Sequence, residues 1–228
     1  MLCGCAMSPD DKEETGNQLI VEFRVKGKIN VNDFDEYNLK RNYFIAINCD
    51  NSDGSYGPVP IAGPSGSYGW GNGWGTSAYA DQSKGITTFL QMNQQNSEGN
   101  VFLMIPGEKL RQYSPPITPT YCSLTDDGKG IRAIFDYSLL ETEDISADNI
   151  KKLQVNIITT NLVVSSSTES TYGRRYDALG SKGEGFIDII ADRSYTYSGT
   201  DEDDRDISDE DLDITKWTIQ VVCNNNQK

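Results

Sequence analysis

An aromatic, glycine-rich loop is the part of this sequence whose residues best suit ligand binding. No charged residue occurs from Gly54 to Ala80, and residues 69–75 read Gly-Trp-Gly-Asn-Gly-Trp-Gly. Glycine lets the backbone turn and approach a ligand closely, and flat aromatic faces stack on the apolar faces of sugar rings. A structural alternative, which the usual burial of large aromatic side chains favours, is that the two tryptophans fold inward and cap the core. The candidate ligand-binding residues are Tyr68, Trp70, Trp74 and Tyr79.

Two clusters of oxygen-bearing side chains make calcium a candidate cofactor. The first spans residues 48–54 and ends in a glycine, and the second crowds residues 201–213. Calcium takes several carboxylate and carbonyl oxygens, so these residue types suit it. An Asx turn explains the first cluster without a metal, and a solvated charged loop explains the second, so both alternatives stay open. The candidate metal ligands are Asp50, Asp53, Asp201, Asp203 and Asp204.

The composition excludes several classes of function. The chain of 228 residues contains no histidine, which removes Ser-His-Asp and Cys-His catalysis and the usual histidine-based metal sites. Its net charge of −14, from 20 basic and 34 acidic residues, argues against a nucleic-acid partner. Among enzymes, a carboxylate-dependent glycoside hydrolase remains, yet no carboxylate pair stands out. We therefore assign no catalytic residue and expect a protein that is not an enzyme.

The elements that must position these residues are predicted to be strands. Leu19, Val21, Phe23 and Val25 alternate with Ile20, Glu22, Arg24 and Lys26, as in a strand with one buried face. Short helical turns are expected only at 138–141 and 146–151, the second with Ser146 as a possible N-cap. Further strands are predicted at Tyr43 to Asn48, Ile86 to Met92, Val101 to Ile105, Ile131 to Phe135, Leu153 to Ile157, Phe186 to Ile190 and Trp217 to Val221.

An all-β fold follows from this pattern. Without crossover helices a parallel sheet is excluded, so the strands must find their second layer in another antiparallel sheet. We predict one antiparallel β-sandwich over residues 18–223, jelly-roll or immunoglobulin-like in plan, with a polar tail over 224–228. The long connection from Asn48 to Ile86 carries the aromatic loop, and loops of this length are usually functional or disordered.

Three cysteines of the body leave the redox state open. Cys49, Cys122 and Cys223 are widely spaced and form no C-x-x-C pair, so zinc binding is not indicated. One disulfide between any two of them and three buried free thiols are both compatible with the sequence. The spacing alone does not choose between these alternatives.

The segment Leu2-Cys3-Gly4-Cys5 resembles the lipobox of bacterial lipoproteins, in which an aliphatic residue and a small residue precede the modified cysteine. The resemblance implies lipidation of Cys5 and a place in the bacterial cell envelope or outside the cell, with membrane attachment only through the lipid. Residues 1–17 are then a lipobox remnant and a polar tether. The basic and apolar regions of a signal peptide do not precede the motif, so a chance match with Met1 as a true start is the alternative.

The layout of the chain resembles bacterial envelope lipoproteins that carry a sandwich domain. The residues concerned are Asn42 to Asn48, Gly57-Pro58-Val59-Pro60, the 70–75 loop and Tyr176 to Gly180. A fainter resemblance, by layout alone, is to carbohydrate-binding sandwiches of the family 9 and DOMON type. We therefore expect a surface-tethered binding protein, with a glycan or another envelope protein as partner. The alternative is a structural or assembly protein of the envelope or of an extracellular filament, which self-associates through sheet edges with calcium at acidic loops.

Overall fold

The fold is a two-sheet antiparallel sandwich, as the strand pattern predicts. The computed structural model describes residues 16–49, 57–58, 86–103, 114–163, 173, 175–180, 185–201 and 207–224. Within these residues one sheet has five strands and the other has six, and every pairing is antiparallel. The regular helical structure of the same residues is limited to two 3-10 turns, Tyr137–Leu139 and Ala147–Asn149.

The described part of the chain contains eleven strands. The five-stranded sheet has the order β10-β11-β1-β6-β5, and the other sheet has the order β4-β3-β2-β7-β8, with β9 also paired to β7. Their bounds are β1 Gln18–Val25, β2 Asn42–Asn48, β3 Thr88–Met92, β4 Asn100–Leu103, β5 Tyr121–Leu124, β6 Gly130–Asp136, β7 Lys152–Thr160, β8 Tyr176–Ala178, β9 Ile187–Ile190, β10 Tyr195–Thr200 and β11 Ile214–Val222.

The main core lies between the two sheets and is built by alternation. Along β1 the odd-numbered side chains from Leu19 to Val25 are buried, whereas Glu22 and Arg24 are partly exposed on the other face. In the opposite sheet the inward side chains include Ile45 and Ile157, which pair directly across β2 and β7. Burying each such side chain contributes about 1.5–3 kcal/mol, so the period-2 pattern is what selects this layering.

A second apolar cluster lies on the outer face of the six-stranded sheet. Phe89 stacks on Phe102 with ring centroids 5.1 Å apart and meets Phe44 at 6.3 Å, and all three are buried. The amide of Asn156, on the same face, donates to the carbonyl oxygen of Pro58 at 2.6 Å. The connection between β2 and β3 therefore returns to the outer face of this sheet at Pro58.

Buried polar groups join the two sheets. The carboxylate of Asp177 in β8 accepts hydrogen bonds from the N–H groups of Ala178 at 2.8 Å and of Ile214, which begins β11, at 2.7 Å. The hydroxyl of Thr159 in β7 donates to the carbonyl oxygen of Leu212 at 2.5 Å. These bonds satisfy backbone groups where the chain enters β11 and fix the two sheets to each other.

The predicted helical turns are present, and Ser146 is the N-cap residue of the second, as predicted. Its side chain makes no capping hydrogen bond to the backbone. Its hydroxyl instead accepts from the Asn149 amide at 2.9 Å. Across the described residues, no helix is long and apolar enough to cross a membrane.

Candidate functional site

Most of the residues that the sequence singles out lie outside the described part of the chain. Of the predicted metal ligands, Asp201 is described, and one of its carboxylate oxygens accepts from the N–H of Gly180 at 3.4 Å. Among the described residues, no group of three or more histidine, cysteine, aspartate or glutamate side chains is arranged to hold a metal ion. The predicted residues outside the described part are Tyr68, Trp70, Trp74, Tyr79, Asp50, Asp53, Asp203, Asp204 and Cys5.

The last part of the acidic run has a structural role that the sequence pattern did not predict. Asp209 makes a bidentate ion pair with Arg41, with the guanidinium Nε at 3.0 Å and Nη2 at 3.1 Å from its two oxygens. Asp211 adds a second carboxylate at 3.4 Å from the same guanidinium. Both Arg41 and Asp209 are buried. Burial alone would lower the pKa of Arg41, but the hydrogen bonds and charge of Asp209, with the charge of Asp211, raise it above its ordinary value.

Two further cation contacts complete this acidic segment. Lys26 pairs with Glu210 at 3.0 Å and approaches Asp213 at 4.0 Å. The other oxygen of Asp211 accepts from the backbone N–H of Lys28 at 2.8 Å. Two cations, Lys26 and Arg41, thus offset part of the charge of the four carboxylates in residues 209–213. The expectation of a solvated loop is wrong at Asp209, which is buried, whereas Glu210 is exposed.

A hairpin over residues 34–40 presents two exposed aromatic rings. Asp35 organises it: one carboxylate oxygen accepts from the N–H groups of Tyr37 at 2.9 Å and Leu39 at 2.8 Å. Its other oxygen accepts from the Asn161 amide at 2.6 Å, which ties the hairpin to the end of β7. Asn38 adopts a φ of 60°, a conformation that asparagine tolerates better than most residues. The hairpin is thus held by exposed and half-buried polar contacts of Asp35.

Each of the two rings lies against a cation. Phe34 is 54% exposed and has the Lys40 ammonium 4.4 Å from its centroid, and Tyr37 is 37% exposed with the Arg175 guanidinium at 5.0 Å. Arg175 in turn pairs with Glu36, and this hydrogen bond raises the pKa of Arg175. The cation on one side of each ring fixes its orientation and leaves exposed ring surface for a ligand.

Gly173 makes room for the Tyr37 ring. Its φ is +75°, in the left-handed region that favours glycine, and a Cβ placed there would lie 2.5 Å from Cγ of Tyr37. The carbonyl oxygen of Gly173 also accepts from the Asn161 amide at 2.8 Å. The same asparagine therefore holds both Asp35 and the glycine that backs the ring.

A network of side-chain amides lies beside the hairpin. The Asn42 carbonyl oxygen accepts from the amides of Gln91 at 3.2 Å and Asn93 at 3.1 Å. Asn96 donates to Asn93 at 3.2 Å and accepts from Asn100 at 2.7 Å. These residues lie at the ends of β2, β3 and β4, where the turn between β3 and β4 meets the hairpin. Amides that already donate and accept in a fixed network are oriented before any ligand arrives.

Lys40 joins the hairpin to this turn. The Lys40 ammonium lies over the Phe34 ring and donates to the side-chain oxygen of Gln94. The Gln94 side chain is exposed. We call Phe34, Tyr37, Lys40, Gln94 and the amide network the hairpin surface. Sequence reasoning missed it because residues 30–40 show no strand period. The available signal was two aromatic residues within a segment rich in Asn and Asp, which predicts a turn that exposes them.

A shallow groove lies on the outer face of the five-stranded sheet. It has a volume of about 470 Å³ and is lined by side chains that include Tyr121, Ser123 and Arg132. Four of its five charged side chains form two pairs, since Arg24 pairs with Asp127 and Arg132 approaches Glu22 at 3.8 Å, and the fifth is Asp126. A hydrogen bond from the Thr125 hydroxyl, followed by one from the Lys129 N–H, lowers the pKa of Asp127. A lowered pKa is the wrong direction for a general acid at neutral pH.

The three cysteines of the body are free thiols. Cys49 is buried and donates to the carbonyl oxygen of Leu140 at 2.9 Å, and Cys223 lies 3.6 Å from the carbonyl oxygen of Ala191. Burial raises the pKa of Cys122 to about 12, so this thiol is unreactive near neutral pH. Of the two alternatives left open by the sequence, the structure has the free thiols.

Comparison with known proteins adds no assignment. No family model, no curated protein and no solved structure matches this chain. The class that the fold itself defines is an antiparallel two-sheet sandwich.

Proposed function

We propose that this chain is a non-catalytic binding protein that holds a neutral glycan at the hairpin surface and is tethered to the bacterial cell envelope through Cys5. The observation that carries the proposal is the pair of exposed, cation-backed rings of Phe34 and Tyr37 beside an ordered amide network. A glycan needs aromatic faces for its C–H groups and fixed donors and acceptors for its hydroxyls. The hairpin surface offers both kinds of group, with the rings on residues 34–40 and the amides on the neighbouring ends of β2, β3 and β4.

The charges around the hairpin favour a neutral ligand over an anionic one. Asp33 and Glu36 are exposed at its rim, and the chain as a whole carries −14. An anionic ligand would meet this field, and exposed like charges repel it most strongly at low salt. The amides of the site carry no charge, so they bind hydroxyl groups without such a penalty.

The carboxyl groups of the hairpin are engaged in structure, which favours binding over hydrolysis. Asp35 accepts three hydrogen bonds, from Tyr37, Leu39 and Asn161. Glu36 is paired with Arg175, and Asp33 accepts from the Asn30 amide at 2.8 Å. A glycosidase needs one carboxyl that gives up a proton and another that faces it across the bond, so residues engaged in this way are poor candidates.

A glycan array read with the wild type and a Phe34→Ala, Tyr37→Ala variant tests the binding site. We expect each ring to account for roughly a three- to tenfold change in affinity, the range typical of one aromatic contact. Tyr195→Ala is the matched control, because Tyr195 is 57% exposed and lies on β10, away from the hairpin. A folded wild type without any glycan signal would sink the proposal.

A second variant separates this site from the glycine-rich loop. Trp70→Ala with Trp74→Ala removes the aromatic residues that the sequence singles out there. Binding that survives this change and is lost in the hairpin variant supports the hairpin surface. The opposite result would leave glycan binding in place and assign it to the loop.

The tether has its own test, independent of the glycan. The chain, expressed in a bacterium behind a lipoprotein leader that ends at Gly4, should carry a lipid on Cys5 and sediment with membranes. Cys5→Ser should release it in soluble form, because a single lipidated residue is then its sole anchor. Equal membrane association of both forms would contradict lipidation of Cys5.

A further inference from the structure

We infer that two copies of this chain associate through β10, edge to edge and antiparallel, so that their five-stranded sheets become one. The occupant of the edge is a second copy of the chain, and the inference does not depend on glycan binding. Pairing of exposed edge strands is a common mode of protein association.

The outer edge of β10 offers unpaired backbone groups. Asp201 donates its N–H to the carbonyl oxygen of Thr215, so the odd-numbered residues of β10 turn their backbone groups toward β11. The backbone groups of Thr196, Ser198 and Thr200 therefore point away from the sheet. Within the described residues, no hydrogen bond is made by these six N–H and C=O groups.

The edges of the sandwich differ in how they are protected. Val101 of β4 exchanges two backbone hydrogen bonds with Ile117, and Ser114 bonds Leu103, so this edge is covered by residues 114–117. The edge strand β5 has only four residues. By contrast, β10 has six residues, Tyr-Thr-Tyr-Ser-Gly-Thr, with no charge and no proline to block a partner strand.

A two-fold axis through Tyr197 gives a register that matches faces and charges. With Tyr197 opposite the partner copy's Tyr197, Thr196 and Ser198 of each copy can exchange four N–H···O=C bonds with the other copy. In the same register the exposed Arg193 lies opposite the partner copy's Asp201, one oxygen of which also accepts from the N–H of Gly180 within its own copy. Tyr195 then faces the partner copy's Gly199, which leaves space for the ring.

The net charge of each copy opposes dimerisation, so the stability of the dimer should depend on the salt concentration. Each copy carries −14, so two copies repel one another at low salt. Added salt screens this repulsion, because the Debye length falls from about 10 Å at 0.1 M to about 3 Å at 1 M. Association should therefore strengthen with salt, although the Arg193 contact weakens.

Sedimentation velocity of the full chain, over a range of concentrations and at low and high salt, tests the inference. We expect a monomer–dimer equilibrium in the wild type. Ser198→Pro removes an outward N–H that the fold does not use, and Ser198→Lys places a charge on the edge and keeps the backbone. Each should raise the dimer dissociation constant about tenfold or more, since either change blocks strand pairing.

Thr218→Lys is the matched control, because Thr218 is the β11 residue that pairs with Ser198 but lies within the sheet. It adds the same charge without touching the edge, so its dissociation constant should stay within about threefold of the wild type. A wild type that is monomeric at every concentration overturns the inference. Equal dimerisation of the wild type and of whichever Ser198 variants are folded, as judged by circular dichroism, overturns it as well.

Discussion

Lys40 and Arg41 are adjacent cationic residues in opposite environments, one at the surface and one buried. Arg41 is buried, with two carboxylates on its guanidinium, while Lys40 lies at the surface against the Phe34 ring and the Gln94 amide. Successive side chains of an extended backbone point to opposite sides, so one residue of offset is enough to separate them. The buried pair serves the fold, and the exposed contact shapes a surface that a ligand can reach.

The difference lies in solvation more than in charge. A buried ion pair whose partner is removed leaves an uncompensated charge in a poorly solvated place, whereas an exposed cation exchanges its contact for water. Substitution of Arg41 should therefore lower the stability of the protein. Substitution of Lys40 or of the rings around it should instead change ligand affinity.

The largest expected effect is that of Arg41→Met on stability. The free energy of unfolding should fall by about 3 kcal/mol or more, because Asp209 and Asp211 lose their common cation. Lys40→Met, the same chemical change one residue earlier, should stay within about 0.5 kcal/mol, as surface substitutions usually do. Urea unfolding measures both. Equal losses of unfolding free energy in the two variants would contradict the proposed difference between Arg41 and Lys40.

A double variant sharpens the same point. Arg41→Met with Asp209→Asn removes the orphaned charge and keeps an oxygen that can accept from the N–H of Asp211. It should therefore be more stable than Arg41→Met alone. If it is less stable by the sum of the single losses, the cost of Arg41→Met is lost packing and not an unpaired carboxylate.

The next effect is the loss of stability at alkaline pH through Tyr43. Burial raises the pKa of Tyr43 above its ordinary value of 10.0, and its hydroxyl accepts from the N–H of Asn30 at 3.0 Å and donates to the carbonyl oxygen of Asp211 at 3.2 Å. The folded state thus favours the neutral phenol. This contribution is complete below pH 10 and is lost as the pH rises from there toward the folded-state pKa.

Tyr43→Phe tests this assignment. The variant should be less stable at neutral pH by about 1–2 kcal/mol, from the lost hydrogen bonds, and should lose less stability than the wild type between neutral pH and pH 11. Tyr137, whose pKa burial also raises, stays in both proteins and cancels in the comparison. Parallel stability curves of the two proteins would contradict the role of Tyr43.

A smaller loss of stability than that of Arg41→Met, about 1 kcal/mol, is expected for Gly173→Ala, which strains a positive φ and crowds the Tyr37 ring. Glycan affinity should fall about as much as in Tyr37→Ala, because the ring must leave its place. Gly128→Ala is a matched control, since Gly128 also has a positive φ of 69° but no atom near the added methyl group. Loss of stability with unchanged affinity would separate Gly173 from the binding surface.

The sequence predicted the strands that carry apolar side chains into the core and missed a short strand and an exposed one. β1, β7 and β11 were predicted because apolar side chains recur at every second position, and β2 because it is a run of aromatic and β-branched residues, which the structure buries on both faces. The strand β10 was not, since an exposed edge strand of Tyr, Thr, Ser and Gly has no apolar period. Short β8 was missed as well, because its three residues are held by pairing to β7 and by the buried Asp177.

The type of residue in the candidate site could be predicted from the sequence, but the position of the site in the fold could not. Aromatic residues beside polar turns led to the 68–79 segment, and the same rule applied to Phe34 and Tyr37 would have added the hairpin. Nothing local indicates that Arg175 and Lys40 would back those rings, since Arg175 is distant from Tyr37 in sequence. The Arg175 contact follows from the strand order β2-β7-β8 in the six-stranded sheet.

The sequence by itself determined an all-β sandwich without histidine chemistry, because side-chain period and composition are local properties. Tertiary structure decided which charges are buried, which rings are exposed and which strand edge is open. Asp209 lies 168 residues from Arg41, and its place in a buried pair arises only when β11 and β2 meet across the core. Burial is set by distant neighbours, so two cationic residues next to one another can serve the fold at one position and the surface at the next.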